Sequence, residues 1–170
     1  IGSAAARPDA EAGYAACVAA APGPVATGQV GAGTGATVAK WRGREHARPG
    51  GIGSVAMTDD DLVVGALVAV NAFGDRPGRS TTAELDPGAA FTNTTIGVVA
   101  TNAALDKVGC LLVAQSGHDG LARALEPAHA TVDGDALVAA AVGPLHVPVD
   151  RVRVLAARAV ERAVAAVLDA

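Results

Sequence analysis

The chain has 170 residues, one domain's worth, and is 51% apolar but only 2% aromatic. Its core must therefore be built from Ala, Val and Leu at close backbone spacing, which 21 glycines permit. The net charge of −4 comes with both signs interspersed and no basic stripe, which argues against a nucleic-acid partner. Cys17 and Cys110 supply neither a disulfide framework nor a metal-ligand spacing, and no apolar run reaches the roughly 18 residues of a membrane span. A reduced, cytoplasmic protein without metal or cofactor, and without a membrane partner, is expected.

The chain opens at Ile1-Gly2-Ser3 with no initiator Met and no signal-peptide pattern, as if in mid-domain, so a preceding N-terminal region is expected. Residues 9–21 read as a helix with Asp9 and Glu11 in its first turn, stopped by Pro22-Gly23-Pro24. The glycine-rich residues 25–40 lack the Gly-Lys-Ser/Thr of a phosphate loop and the spacing of a dinucleotide fold, so Gly31, Gly33 and Gly35 predict a tight backbone crossing. Lys40, between a small-residue run and Trp41, is expected to be partly buried, and residues 42–49 to form a solvated turn. Residues 51–57 and 62–70 read as two strands joined by a turn at 58–61. The second is apolar at every position, the mark of a strand covered on both faces. Asn71 ends it, either as a turn former or as an amide able to donate to a developing oxyanion. Residues 73–90 read as an exposed, mobile loop.

Residues 91–102 form the stretch around which the rest is organised: a polar turn running straight into a β-branched strand, with the Thr94 hydroxyl at its start. Residues 106–125 predict the clearest helix, with Val108, Leu111, Leu112, Gln115, His118, Leu121, Ala122 and Leu125 as its buried stripe and His118 in a structural role. Glu126-Pro127 breaks it. Asp133-Gly134-Asp135 reads either as a solvated turn or as two carboxylates aimed at a neighbouring base; it has too few oxygen ligands for a calcium loop. A strand over 136–142, a loop over 144–148 and an amphipathic helix over 150–168 complete the chain.

Residues 93–103, Asn-Thr-Thr-Ile-Gly-Val-Val-Ala-Thr-Asn-Ala, resemble the self-cleavage segment of the DmpA-like family. That family of self-processing N-terminal-nucleophile hydrolases includes L-aminopeptidase/D-esterases, β-peptidyl aminopeptidases and nylon-oligomer hydrolases. The likeness continues in order along the chain. It takes in Arg7 to Tyr14, Gly31 to Ala36 leading to Lys40, Val64 to Asn71, His118 to Arg123, Pro127 to His129, and Asp133-Gly134-Asp135. The resemblance implies an α+β fold, a four-layer α/β/β/α sandwich of the type shared with ornithine acetyltransferase. It implies self-cleavage between Asn93 and Thr94, Thr94 as nucleophile, Lys40 as base, Asn71 in the oxyanion hole, and Asp133 and Asp135 as orienting acids. Residues 1–93 would then be the C-terminal part of the larger subunit and 94–170 the smaller subunit, together one structural domain. A small peptide or amide substrate and a homo-oligomer, a tetramer of processed heterodimers, are also implied. Two departures stand out. The long N-terminal region of the family, with its pocket-lining aromatic residue, has no counterpart here, and Thr94 stands where many of the aminopeptidases use Ser. An ornithine-acetyltransferase-like acyl transferase and a non-catalytic assembly module of the same fold are the alternatives.

Overall fold

Asp9 caps α1 (Ala10–Val18) by accepting the Ala12 N–H at 2.9 Å, and this helix buries none of its residues. This is seen in a computed structural model that describes residues 7–79 and 93–170. The glycine-rich segment after α1 makes the expected crossing. A Cβ on Gly33 would lie 2.6 Å from the Gly28 carbonyl oxygen and 2.7 Å from the Ile52 nitrogen, so only glycine lets these backbones touch. The short strands β1 (Thr37–Val38) and β2 (Arg48–Pro49) then pair antiparallel.

The main sheet has the order β3-β4-β5-β6, from β3 (Gly51–Asp59), β4 (Leu62–Val70), β5 (Ile96–Ala103) and β6 (Ala136–Leu145). β3 and β4 form a hairpin whose turn places Asp60 in the left-handed region at φ 52°, a conformation Asp tolerates. β4 and β5 are antiparallel, while β5 and β6 are parallel and so require the crossover helix α2 (Lys107–Ala124) between them. The last helix, α3 (Val149–Leu168), packs on α2 and on β3 and β4. β6 extends past the predicted end at 142, through Pro144, which an edge strand can accept because its outer side needs no ladder hydrogen bond.

The class is α+β, and among the described residues it comprises one β layer and one α layer. Val64, Ala66, Val68, Val99 and Leu137 face the helices and are buried. Among the described residues, the other face of the sheet is largely uncovered. Leu67, Val98 and Val138 lie side by side across three strands, with Leu67 36% and Val138 62% exposed. β4 is thus buried along one face throughout, but the two-sided burial inferred from its unbroken apolar run holds only at its C-terminal end, where Ala69 is 8% exposed; Val63 and Leu67 stay 39% and 36% exposed among the described residues.

The buried stripe of α2 also differs from expectation. Val108 and Leu111 are exposed, and the inward face is Gly109, Val113, Ser116, Gly117, Gly120, Leu121 and Ala124. The reason is backbone-to-backbone packing: a Cβ on Gly120 would collide with the Ala157 carbonyl of α3. Smallness, not bulk, selects this face. The loop after β4 begins buried rather than exposed, since Phe73 and Asp75 are 4% and 5% accessible. Asp75 is tied to Arg48 and, through both main-chain groups, to Glu126 at 3.0 and 2.8 Å. Phe91, Thr92 and the remainder of that loop from residue 80 lie outside the described residues. Among the described residues, no helix is long and apolar enough to cross a membrane.

Candidate active site

The sheet topology decides which residues can meet. Parallel β5 and β6 begin at the same edge of the sheet, and antiparallel β4 ends there. The residues before β5, before β6 and after β4 are therefore neighbours despite their distance in sequence. Asn93 and Asp133 form a parallel bridge, the Gly134 N–H donates to the Asn93 carbonyl at 3.0 Å, and the Ala136 N–H to the Thr95 carbonyl at 2.9 Å. The Thr94 N–H donates to the Asn71 carbonyl at 2.9 Å.

Lys40 reaches this point from β1. Its main-chain N–H donates to the Phe73 carbonyl at 2.9 Å, and Ala39 before it is held at φ 61°, an unfavourable value for alanine. The Lys40 side chain is buried, with Nζ donating to Asn71 Oδ1 at 3.0 Å and lying 3.5 Å from the Asn71 carbonyl oxygen. Asn71 Oδ1 also accepts the Thr37 N–H at 3.0 Å. Two donors on Oδ1 fix the orientation of the amide and leave Nδ2 as its donor end. Trp41, Phe73 and Val132 form a small apolar cluster. Two of the chain's four aromatic residues (Tyr14, Trp41, Phe73, Phe91) are thus next in sequence, or nearly so, to Lys40 and Asn71.

Burial sets the electrostatics. Desolvation lowers the Lys40 pKa to about 8, with Arg44 acting in the same direction and the Asp133 carboxylate opposing both. Asp133 is pushed above the usual carboxylate range by burial first and by the neighbouring Asp135 charge second; N–H bonds from Phe73 and Ala130, and Lys40, pull the other way. Those bonds are 3.1 Å to Oδ1 and 3.3 Å to Oδ2. Asp135 Oδ1 accepts the Thr95 N–H at 2.8 Å, and its Oδ2 lies 2.9 Å from His129 Nδ1. The Thr94 hydroxyl donates to the Asn93 carbonyl oxygen, the same atom held by Gly134. Two buried polar atoms, Asn93 Oδ1 and Thr95 Oγ1, find no partner among the described residues.

Thr94, Lys40, Asn71, Asp133 and Asp135, drawn from four separate stretches of sequence, thus converge on one end of one sheet. A hydroxyl beside a held carbonyl, a buried amine with its pKa lowered to about 8, and two anchored carboxylates together suit acyl transfer from an amide. The model of peptidase family S58 matches residues 3–170. The chain belongs to peptidase family S58. An uncharacterized aminopeptidase of Mycobacterium leprae is 38% identical over 169 residues, covering 81% of this chain and 45% of the relative. A β-aminopeptidase of Burkholderia sp. superposes with a TM-score of 0.65 at 27% identity, over 89% of this chain and 49% of the other. The L-aminopeptidase D-Ala-esterase/amidase of Ochrobactrum anthropi, described as a variant of the Ntn hydrolase fold, gives a TM-score of 0.58 over 85% of this chain and 45% of the other; at 23% identity it speaks for the fold alone. The chain spans about half the length of each of these proteins.

Two participants have no role in the sequence reading. Gly134 acts through its main-chain N–H, which no side-chain letter reports. His129 is six residues from Asp135, and only the closure of the segment between them brings the ring to the carboxylate.

Proposed function

We propose that this S58 chain cuts itself between Asn93 and Thr94 and that the processed protein hydrolyses amide or peptide bonds with Thr94 as an N-terminal nucleophile. The observation that carries this is a shared acceptor: the Thr94 nitrogen and Lys40 Nζ both lie on the Asn71 carbonyl oxygen, at 2.9 and 3.5 Å. The nitrogen that cleavage would free as an α-amine is therefore next to a buried lysine.

In the processing step the Thr94 hydroxyl oxygen bonds to the Asn93 carbonyl carbon and gives up its proton to a base. Negative charge gathers on the Asn93 carbonyl oxygen, which the Gly134 N–H is placed to stabilise at 3.0 Å. The Asn93–Thr94 C–N bond then breaks, the nitrogen takes a proton, and an ester joins Asn93 to Oγ1. Water hydrolyses that ester, leaving a carboxylate on Asn93 and restoring the Thr94 hydroxyl.

In turnover, a substrate amide takes the place of Asn93. A threonine hydroxyl is a poor nucleophile until a base takes its proton. Lys40 with its pKa near 8, and an α-amine titrating near ~7.7–8.0, are both partly neutral at physiological pH. Asn71 Nδ2 supplies the oxyanion donor, while Asp133 and Asp135 orient the amine and the lysine. The two products, up to Asn93 and from Thr94 onward, act as one structural unit, and small peptides and amides are the substrate class.

The test is intact mass of the natural protein, expressed with whatever flanks these residues in its gene. A fragment beginning at Thr94 is expected, and Thr94→Ala should remain uncut and inactive toward amides. An uncut wild type with full amidase activity would falsify this mechanism.

A further inference from the structure

The carboxylates of Asp133 and Asp135 have four oxygen atoms between them, and three are anchored by main-chain N–H groups: Phe73 and Ala130 on Asp133, and Thr95 on Asp135. The fourth, Asp135 Oδ2, is held by a side chain, the imidazole of His129 at 2.9 Å. The Asp135 side chain is only 3% exposed, so its carboxylate has given up water and depends on these two donors. An ionised carboxylate only accepts, so Nδ1 of His129 carries the hydrogen.

His129 is held in place for this. Its backbone lies in the left-handed region at φ 53°, rare for a residue with a full side chain. Its ring meets that of His118, on α2, at a centroid distance of 4.9 Å. Strain of this kind persists only where the surroundings fix it. Beyond Asp135, the line His129 Nδ1 to Asp135 to Thr95 N–H ends on the peptide group that follows Thr94. The main chain just after Thr94 is thus fixed through a histidine.

We infer that His129 is a positioning residue for the Thr94 chemistry: its Nδ1–H fixes the Asp135 carboxylate, which in turn fixes the main chain carrying the nucleophile. The inference rests on the proposal that Thr94 is that nucleophile. His129 touches neither the hydroxyl nor the scissile carbonyl, so its loss should lower kcat and slow self-cleavage while leaving KM nearly unchanged. Small misplacements of a reacting group cost large factors in rate, so a slowing of about ten- to a hundredfold is expected.

Three substitutions in the natural protein separate the hydrogen bond from the backbone. His129→Gly relieves the left-handed strain and removes the donor. His129→Gln replaces the ring N–H with an amide donor but carries it one methylene too far. His129→Asn tolerates the left-handed backbone and can place Nδ2 where Nδ1 stood. Self-cleavage is followed by intact mass, turnover on peptide amides by kcat and KM, and folding by thermal unfolding. The expected result is slow cleavage and low kcat in the Gly and Gln variants, rescued in the Asn variant, without a parallel order in melting temperature. Wild-type rates in His129→Gly, or an Asn variant as slow as the Gly variant at equal stability, overturn the positioning role alone. A wild type that is never cut at Asn93–Thr94 overturns both the Thr94 mechanism and this inference.

Discussion

The central sheet ends twice in asparagine, and the two ends are unlike. At one end Asn102 is half-buried and spends its whole amide on main chain: Oδ1 accepts the Val63 N–H and Nδ2 donates to the Asp61 carbonyl, each at 2.8 Å. Nearby, Thr101 donates to the Val63 carbonyl at 2.9 Å. At the other end Asn71 is buried, and its Oδ1 is shared between a main-chain N–H and a lysine ammonium. There the surroundings include a lysine with its pKa lowered to about 8, a carboxyl pushed up, and two buried polar atoms without a partner among the described residues. The same residue type closes a hairpin at one end and supports a costly polar cluster at the other. Unfavourable burial concentrated at one end of an otherwise well-satisfied sheet is what sets the proposed active end apart from the other.

The comparison can be broken or sharpened by substitution. The largest effect is expected from Lys40→Met, which removes a proposed base and should lower turnover by about 10²–10⁴-fold. Wild-type activity should climb as pH rises through about 8, where Lys40 loses its proton. The same shift has a stability consequence. Between about 8 and the ordinary lysine value of 10.5 the unfolded chain holds a proton that the folded one lacks, so stability should rise with pH across that window. Lys40→Met should therefore melt higher than wild type at pH 7, with the advantage shrinking toward pH 10. A variant that melts lower at every pH would show that the buried ammonium is a net support.

Next in size is Asn71→Ala, expected to cost roughly 2.7–4 kcal/mol of transition-state stabilisation if the amide serves the oxyanion. Gly120→Ala comes third. Its methyl would meet the Ala157 carbonyl, so a loss of about 1–3 kcal/mol in denaturant unfolding is expected, with kcat unaltered in the protein that remains folded. Smallest is Asn102→Ala, at about 1 kcal/mol of stability and no change in cleavage rate. If Asn102→Ala slows cleavage as much as Asn71→Ala does, the contrast between the two ends fails.

The strands of the main sheet were legible in the sequence because apolar runs bounded by turn residues leave little else to form, whereas the two-residue strands β1 and β2 were not, β2 falling in what reads as a solvated turn. Leu62–Val70 matches its expected bounds, and Gly51–Asp59 extends by only two residues. The face of α2 was not legible, because periodicity of bulky residues points to Val108 and Leu111 while the contact with α3 selects Gly117 and Gly120. At the site, Thr94, Lys40, Asn71, Asp133 and Asp135 could be singled out through the ordered resemblance to a known family. Their convergence follows from strand direction, which no single segment encodes. The Gly134 N–H and the His129 ring escaped for the same reason: one is main chain, and the other acquires its partner only when the chain folds back.

The pairing of β4 with β5 has a consequence for assembly. These strands lie on opposite sides of Asn93–Thr94, and they share a continuous antiparallel register from Val64–Thr101 to Ala69–Ile96. If the peptide bond is cut, the two products remain stitched into one sheet, with α3 of the second product lying across β3 and β4 of the first. Folding before the cut is a one-molecule event, whereas refolding after it becomes an encounter between two chains, subject to dilution. The order of events then matters: the intact chain builds the sheet, and the sheet afterwards keeps the severed halves together.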